Sequence, residues 1–336
     1  MKSRPVQCHV GLATALLGTL IWSTPALAHH GVAGVGAAAL EGPGAPIESA
    51  SSATLPEGRW LTYMKLDHAE YKKYAPAEPE ADYARYWMAG VGYGFTPWFS
   101  GYLFVPYHDK TDEAGGYTSR GWADLSLMGQ FGFKYDAQSG WQLNPAHESL
   151  DDLEDWHFTL FGGATLPTGN ANARDSLGNI DPGKSRGFGK ASFTLGVSAA
   201  KMLTPKLTLN LEASAIRFQE YTYADGQRVK FGDENRLNGA LSYRLLADAD
   251  RKFRLDGVLE AQFLHLGRDK ADGVGESGTG GRMVYLMPGV RAYVDRVSLA
   301  LGIKKAVWTR LNESHEQQGA EGKEKYRVIF SASYLF

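Results

Sequence analysis

Histidine is the side chain best suited to acid–base or metal chemistry near neutral pH, and this 336-residue chain has nine. His265 lies on an apolar strand face, between stretches that show Leu237, Leu241 and Leu245 on one side and Val284, Leu286 and Val290 on the other. A lipase-like barrel needs a serine beside such a histidine, and these faces offer none. His108 and Asp109 sit at the start of a loop, where a protease-like barrel would want its pair. His29 and His30 could hold copper or nickel through two imidazoles and a free amine, or stand as a passive pair in a flexible tail. No G-x-S-x-G elbow, H-E-x-x-H helix or G-x-x-x-x-G-K-[ST] loop occurs. Gly34 and Gly36 mimic part of a dinucleotide fingerprint, but no strand precedes them. The one cysteine, Cys8, falls within an N-terminal leader, so disulfides, thiolate metal sites and a cysteine nucleophile are excluded from the mature chain. The reading is no catalytic residue and no cofactor, with a barrel enzyme kept as an alternative.

A second chemistry-bearing set consists of charges: Asp124, Lys134, Glu212, Arg236, Arg244, Arg254, Asp256, Glu260, Arg291 and Arg327. Each stands on the polar face of a stretch whose other face is apolar. Both signs occur together, so they could line a path for a solute or fill a small interior with ion pairs. The two readings stay open.

The elements that carry these residues alternate with period two, the signature of strands. Trp87, Ala89, Val91, Tyr93 and Phe95 share one face of their stretch, with Met88, Gly90, Gly92 and Gly94 on the other. After a short turn, Phe99, Gly101, Leu103, Val105 and Tyr107 continue the apolar face. A hairpin there sets Phe95 opposite Phe99, Tyr93 opposite Gly101 and Val91 opposite Leu103. About twelve such segments are predicted, at 58–70, 84–95, 99–108, 121–135, 156–167, 189–203, 206–220, 235–246, 252–267, 282–294, 297–309 and 324–336. Many approach the ~10 residues with which a tilted strand crosses an outer membrane.

Connections alternate between tight turns (96–98, 204–205, 247–251, 295–296) and long polar loops (71–83, 109–120, 168–188, 221–234, 268–281, 310–323). Residues 136–155 break that rule with an acidic insertion or a solvated loop. Aromatics gather at strand ends (Trp60, Trp98, Trp122, Trp156, Trp308), where membrane interfaces lie. The last stretch carries Tyr334 and Phe336 on its apolar face, an ending like the signal read by the barrel assembly machinery. The expectation is an all-β fold, a transmembrane antiparallel β-barrel of about 12 strands with both termini periplasmic. Its polar second faces would line the lumen, with Arg244 close to Asp256 or Arg254.

Residues 1–28 read as a cleaved signal peptide: Lys2 and Arg4, an apolar run from Val10 to Trp22, and a small-residue site ending at Ala28. Loss of Lys2 and Arg4 takes the formal net charge from -2 to -4, which gives no field for nucleic acid. Mean hydropathy is -0.30, too low for a helical membrane protein. Residues 29–57, rich in Gly, Ala, Ser and Pro, form a periplasmic tail or a plug in the lumen, and 58–336 form the barrel. The expected location is the outer membrane of a Gram-negative bacterium. The expected partners are the lipid bilayer, the barrel assembly machinery and a small-molecule solute that passes down its gradient. A closed structural or adhesive barrel is the remaining alternative.

Gly42-Pro43-Gly44-Ala45-Pro46, Thr54-Leu55-Pro56-Glu57-Gly58, Gly121-Trp122-Ala123-Asp124, Thr165-Leu166-Pro167-Thr168-Gly169 and the terminal Phe336 extend over most of the mature chain. In these the chain resembles the bacterial outer-membrane transporters named for the MetA pathway of phenol degradation. The resemblance implies a barrel that moves small, often aromatic, compounds across the outer membrane. It carries no catalytic residues onto this sequence.

Overall fold

The computed structural model describes residues 44–71, 81–112, 118–143, 155–174, 178–313 and 321–336. Twelve long strands run antiparallel in chain order. They are β1 (Trp60–Tyr71), β2 (Ala81–Thr96), β3 (Phe99–Asp112), β4 (Leu125–Asp136), β5 (Trp156–Leu166), β6 (Ser192–Thr204), β7 (Leu207–Arg217), β8 (Glu234–Asp248), β9 (Phe253–Leu266), β10 (Gly281–Val294), β11 (Val297–Leu311) and β12 (Glu324–Leu335). Each pairs with its neighbour, and β12 returns to β1 with Leu61 opposite Leu335 and Ala69 opposite Arg327. The sheet therefore closes and has no free edge. All twelve strands fall where the alternation predicts them.

Closure gives each residue type its medium. Leu127, Leu160, Leu195, Leu211, Leu241, Leu259 and Leu301 point outward and are exposed around the wall. Such a continuous apolar band is untenable in water and is what the hydrocarbon of a bilayer requires. Leu211 sits at mid-strand on β7, so Leu211→Arg is expected to cost about 2–4 kcal/mol of folding free energy. Urea titration in lipid vesicles measures it, and a wild-type midpoint would contradict the lipid-facing placement.

Two local expectations are corrected. The β2–β3 hairpin contains a bulge between Gly94 and Thr96, so Thr96 rather than Phe95 stands opposite Phe99. The two rings still meet, with centroids 5.7 Å apart. The inner face is also not uniformly polar. Tyr63, Met88, Tyr102, Phe104, Met128 and Phe161 form a buried apolar slab on β1–β5. Small residues opposite make the room: a Cβ on Gly90 would lie 2.6 Å from the Phe104 ring, and one on Gly92 2.4 Å from the Tyr102 ring.

Short turns gather at one end and long segments at the other. At the short-turn end, Gly140–Leu143 folds back onto β4, with Trp141 opposite Tyr135. At the long-loop end, Tyr221–Thr222, Arg228–Lys230, Lys270–Ala271 and Val274–Gly275 form a four-stranded sheet, on which Tyr221, Tyr223 and Val229 pack with Ala171 and Ile180. Phe188, Phe218 and Phe231 pack together with Ile216 of β7.

Candidate functional site

The interior of the barrel is occupied by its own chain. Residues 44–56, just before β1, run inside the wall without joining the sheet, and Ala45, Ile47, Ser51 and Ser52 are fully buried there. The stretch makes no ladder bonds to the strands, so its buried backbone groups need side-chain partners. The inward charges and amides of the wall supply them.

Glu260 on β9 provides the main seat. Its carboxylate accepts the backbone N–H groups of Ile47, of Glu48 at 3.0 Å and of Ser49 at 3.1 Å, and the Ser49 hydroxyl at 2.8 Å. Three successive N–H groups on one carboxylate form an anion nest built by the segment itself. Glu212 accepts Ala50 N–H at 2.7 Å, and Asp256 accepts Gly44 N–H at 3.3 Å while pairing with Arg254 at 2.7 Å. Carbonyls are met in turn: Arg291 donates to Pro46 O, Asn210 to Gly44 O at 2.8 Å, and Gln130 to Ser51 O at 3.0 Å. Ile47 packs among Val258, Met287, Ala300 and Ile329, over Gly289 and Gly302.

Glu48 is the one charged side chain between 44 and 56, and its partners come from β1, β9 and β11. Lys304 Nζ lies 3.0 Å from its carboxylate, Lys65 Nζ 3.9 Å, and Gln262 Nε2 donates to it at 3.1 Å. Next to it Arg327 holds three carboxylates, Asp67 at 3.3 Å, Glu321 at 3.2 Å and Glu324 at 2.6 Å. Arg236 pairs with Glu234 at 2.6 Å, and Lys134 with Asp155 at 2.9 Å. Arg244 stands opposite Asp256 in the β8–β9 register.

Asp124 has a different position from the other charges. It occupies the break between the short strand Thr118–Trp122 and β4, and there it clamps a long loop by accepting Gly169 N–H at 2.8 Å and Phe188 N–H at 2.7 Å. Burial pushes its carboxyl above the usual range, and the backbone donors of Phe188, Gly169 and Thr168 oppose that rise. A Cβ on Gly187 would lie 2.3 Å from Asp124 Oδ1, so only glycine lets the loop approach. The sequence gives no hint that Asp124 and the Thr165–Gly169 stretch meet.

Other expected residues do not converge. His108 points inward, 3.3 Å from Ser119 Oγ, whereas Asp109 points outward to Arg120 at 3.2 Å. Neighbours on a strand face opposite ways, so these two make no catalytic pair. His265 faces outward with Asn235 and Arg282 as cross-strand neighbours. Tyr334 and Phe336 are exposed, their rings 4.8 Å apart, at the short-turn end. His29, His30 and residue 28 lie outside the described residues. Among the described residues no cluster of three or more His, Asp, Glu or Cys could hold a metal.

A family model described as the putative MetA-pathway of phenol degradation matches residues 80–311. The chain belongs to this family. The crystal structure of an outer membrane channel from Pseudomonas putida F1 superposes with a TM-score of 0.64 at 14% identity, covering 85% of this chain and 98% of that one. The NanC porin aligns with a TM-score of 0.43 at 8% identity, covering 82% and 98%. No curated protein matches the chain. The fold shared with that channel is a closed antiparallel β-barrel, and the leucines exposed around its wall suit a bilayer.

Lys65, Lys304 and Glu48 were missed from the sequence. Lys65 was legible in principle, since it alternates with Met64 and Leu66 on β1. Glu48 carries no such signal, because nothing periodic surrounds it.

The seat of the segment makes one sharp prediction. A Cβ on Gly94 would lie 2.1 Å from the Pro56 carbonyl oxygen, so Gly94→Ala must displace the root of the segment. Limited proteolysis within 44–56 should become faster than in wild type while the barrel resists, and an unchanged cleavage rate would contradict this packing.

Proposed function

We propose that the protein is an outer-membrane channel for small solutes, aromatic or hydrophobic compounds among them, whose path is held shut by residues 44–56. One observation carries the reading. The filling of the interior is fixed by side chains, not by the β-ladder, so it can leave while the wall stays whole. An apolar slab on β1–β5 faces polar and charged strands on the opposite side, giving a solute both kinds of surface. Transport follows the solute gradient, with no cofactor and no chemistry on the solute. The separation of His108 from Asp109 speaks against an enzyme of the protease type.

The long loops face outward and both termini lie in the periplasm, after a signal peptide is removed at about Ala28. Tyr334 and Phe336 act as the assembly signal. Lys134, Glu212, Arg236, Arg244, Arg254, Asp256, Glu260, Arg291 and Arg327 line the route once it opens, and Asp124 clamps the loop beside it. Single-channel recording of the refolded mature chain in a planar bilayer tests the proposal. Rare, discrete openings from a low baseline are expected. Inserted, folded protein that never opens at any voltage, with or without residues 44–56, would leave only the closed structural barrel.

A further inference from the structure

The geometry points to a carboxylate subsite under the segment, formed by Lys65, Lys304 and Gln262, that a small organic acid with an apolar body takes when Glu48 leaves. The inference rests on the channel reading above and names the class of solute. Its basis is which cations already have partners. Arg327 has Asp67, Glu321 and Glu324; Arg236 has Glu234; Arg254 has Asp256; Lys134 has Asp155. Lys65 and Lys304, with side chains only 1% and 6% exposed, have Glu48 as their carboxylate among the described residues. Lys65 Nζ makes no hydrogen bond to any described residue, and Lys304 adds only the face of Tyr285 at 4.5 Å. When Glu48 departs, two buried ammonium groups are left without an anion, a costly arrangement at low dielectric.

The apolar half of the site adjoins them. Lys65 is paired across β1–β2 with Met88, and Tyr63 lies two residues along the same face. Both belong to the slab that also contains Tyr102 and Phe104, and Ala50 and Leu55 of the segment cover it. The segment thus sets a carboxylate on the lysines and aliphatic groups on the aromatic slab within eight residues of chain. It is a tethered stand-in for a molecule with one carboxylate and one apolar body.

The probe is 4-fluorobenzoate, with 4-fluorobenzamide as its uncharged isostere. Binding to the full mature chain in detergent micelles is read from fluorine NMR line widths. Glu48→Gln removes the internal competitor, so it is expected to bind the acid about tenfold more tightly than wild type, as one charge-assisted contact allows. The amide should show no such gain, and Lys65→Met with Lys304→Met on that background should abolish it. Equal affinity for acid and amide in E48Q, or acid binding that survives loss of both lysines, would overturn the subsite. Conductance of the same variants separates the two claims. Opening of E48Q without preference for the acid sinks the subsite alone. Preference for the acid without any opening sinks the gate alone.

Discussion

Deleting residues 31–50 is expected to raise single-channel conductance severalfold and to make the open state persistent. The deletion takes away every group that Glu260, Glu212 and Asp256 bind in the segment, together with Glu48 and the Ile47 anchor. The ladder from β1 to β12 contains none of those contacts, so the wall should fold and insert as before. Twelve strands enclose more room than the filled eight-strand barrels and less than open sixteen-strand porins, and the slab on β1–β5 takes part of it. The open pore should therefore be narrow and its current ion-selective. Glu260→Gln is the milder form of the same experiment. Hydrogen bonds to a charged acceptor contribute about 1.5–3 kcal/mol each, so neutralising the carboxylate should raise the open fraction roughly tenfold or more. Unchanged conductance after the deletion would move the barrier to the long loops, where Lys110 donates to Gly183 O at 2.9 Å.

Arg327→Met is expected to destabilise the barrel by about 3–5 kcal/mol, because it strands three buried carboxylates in the interior. Asp67, Glu321 and Glu324 come from β1, from the residues before β12 and from β12 itself, so Arg327 ties the closing seam of the barrel. The whole of that cost is uncompensated negative charge. Adding Asp67→Asn and Glu324→Gln to the Arg327→Met chain should thus recover most of the lost stability. Arg327→Lys keeps the charge but loses the planar fork that reaches several oxygens at once, and it should fall between. Urea unfolding midpoints in vesicles, with the mobility shift of folded barrel on unheated gels, measure all four chains. A wild-type midpoint for Arg327→Met would mean that the acids are protonated or hydrated and that the cluster does not hold the seam.

Much of the fold was legible because a barrel strand writes its two environments directly into the chain. Lipid accepts only apolar groups and the interior accepts most others, so Leu207, Leu209 and Leu211 alternate with Thr208, Asn210 and Glu212 whatever lies elsewhere. Tight and long connections alternate along the chain, as an antiparallel order of strands requires. The inward position of Glu212, Glu260, Arg291 and Arg327 followed from that parity alone.

What these charges bind was not local. Glu260 meets Ile47, Glu48 and Ser49 across more than 200 residues of chain, and Asp124 meets Gly169 and Phe188 only after β3, β4 and β5 have paired. Period-two alternation reports which side a residue faces and carries no information about distance around the ring. Residues 44–56 have no alternation at all, since a segment held by side chains inside a closed wall has no second medium to answer to. The sequence by itself therefore determined the barrel, its strands and its two faces. Only the tertiary structure decided that residues 44–56 occupy the interior, because that depends on carboxylates and backbone N–H groups brought together by closure of β12 onto β1.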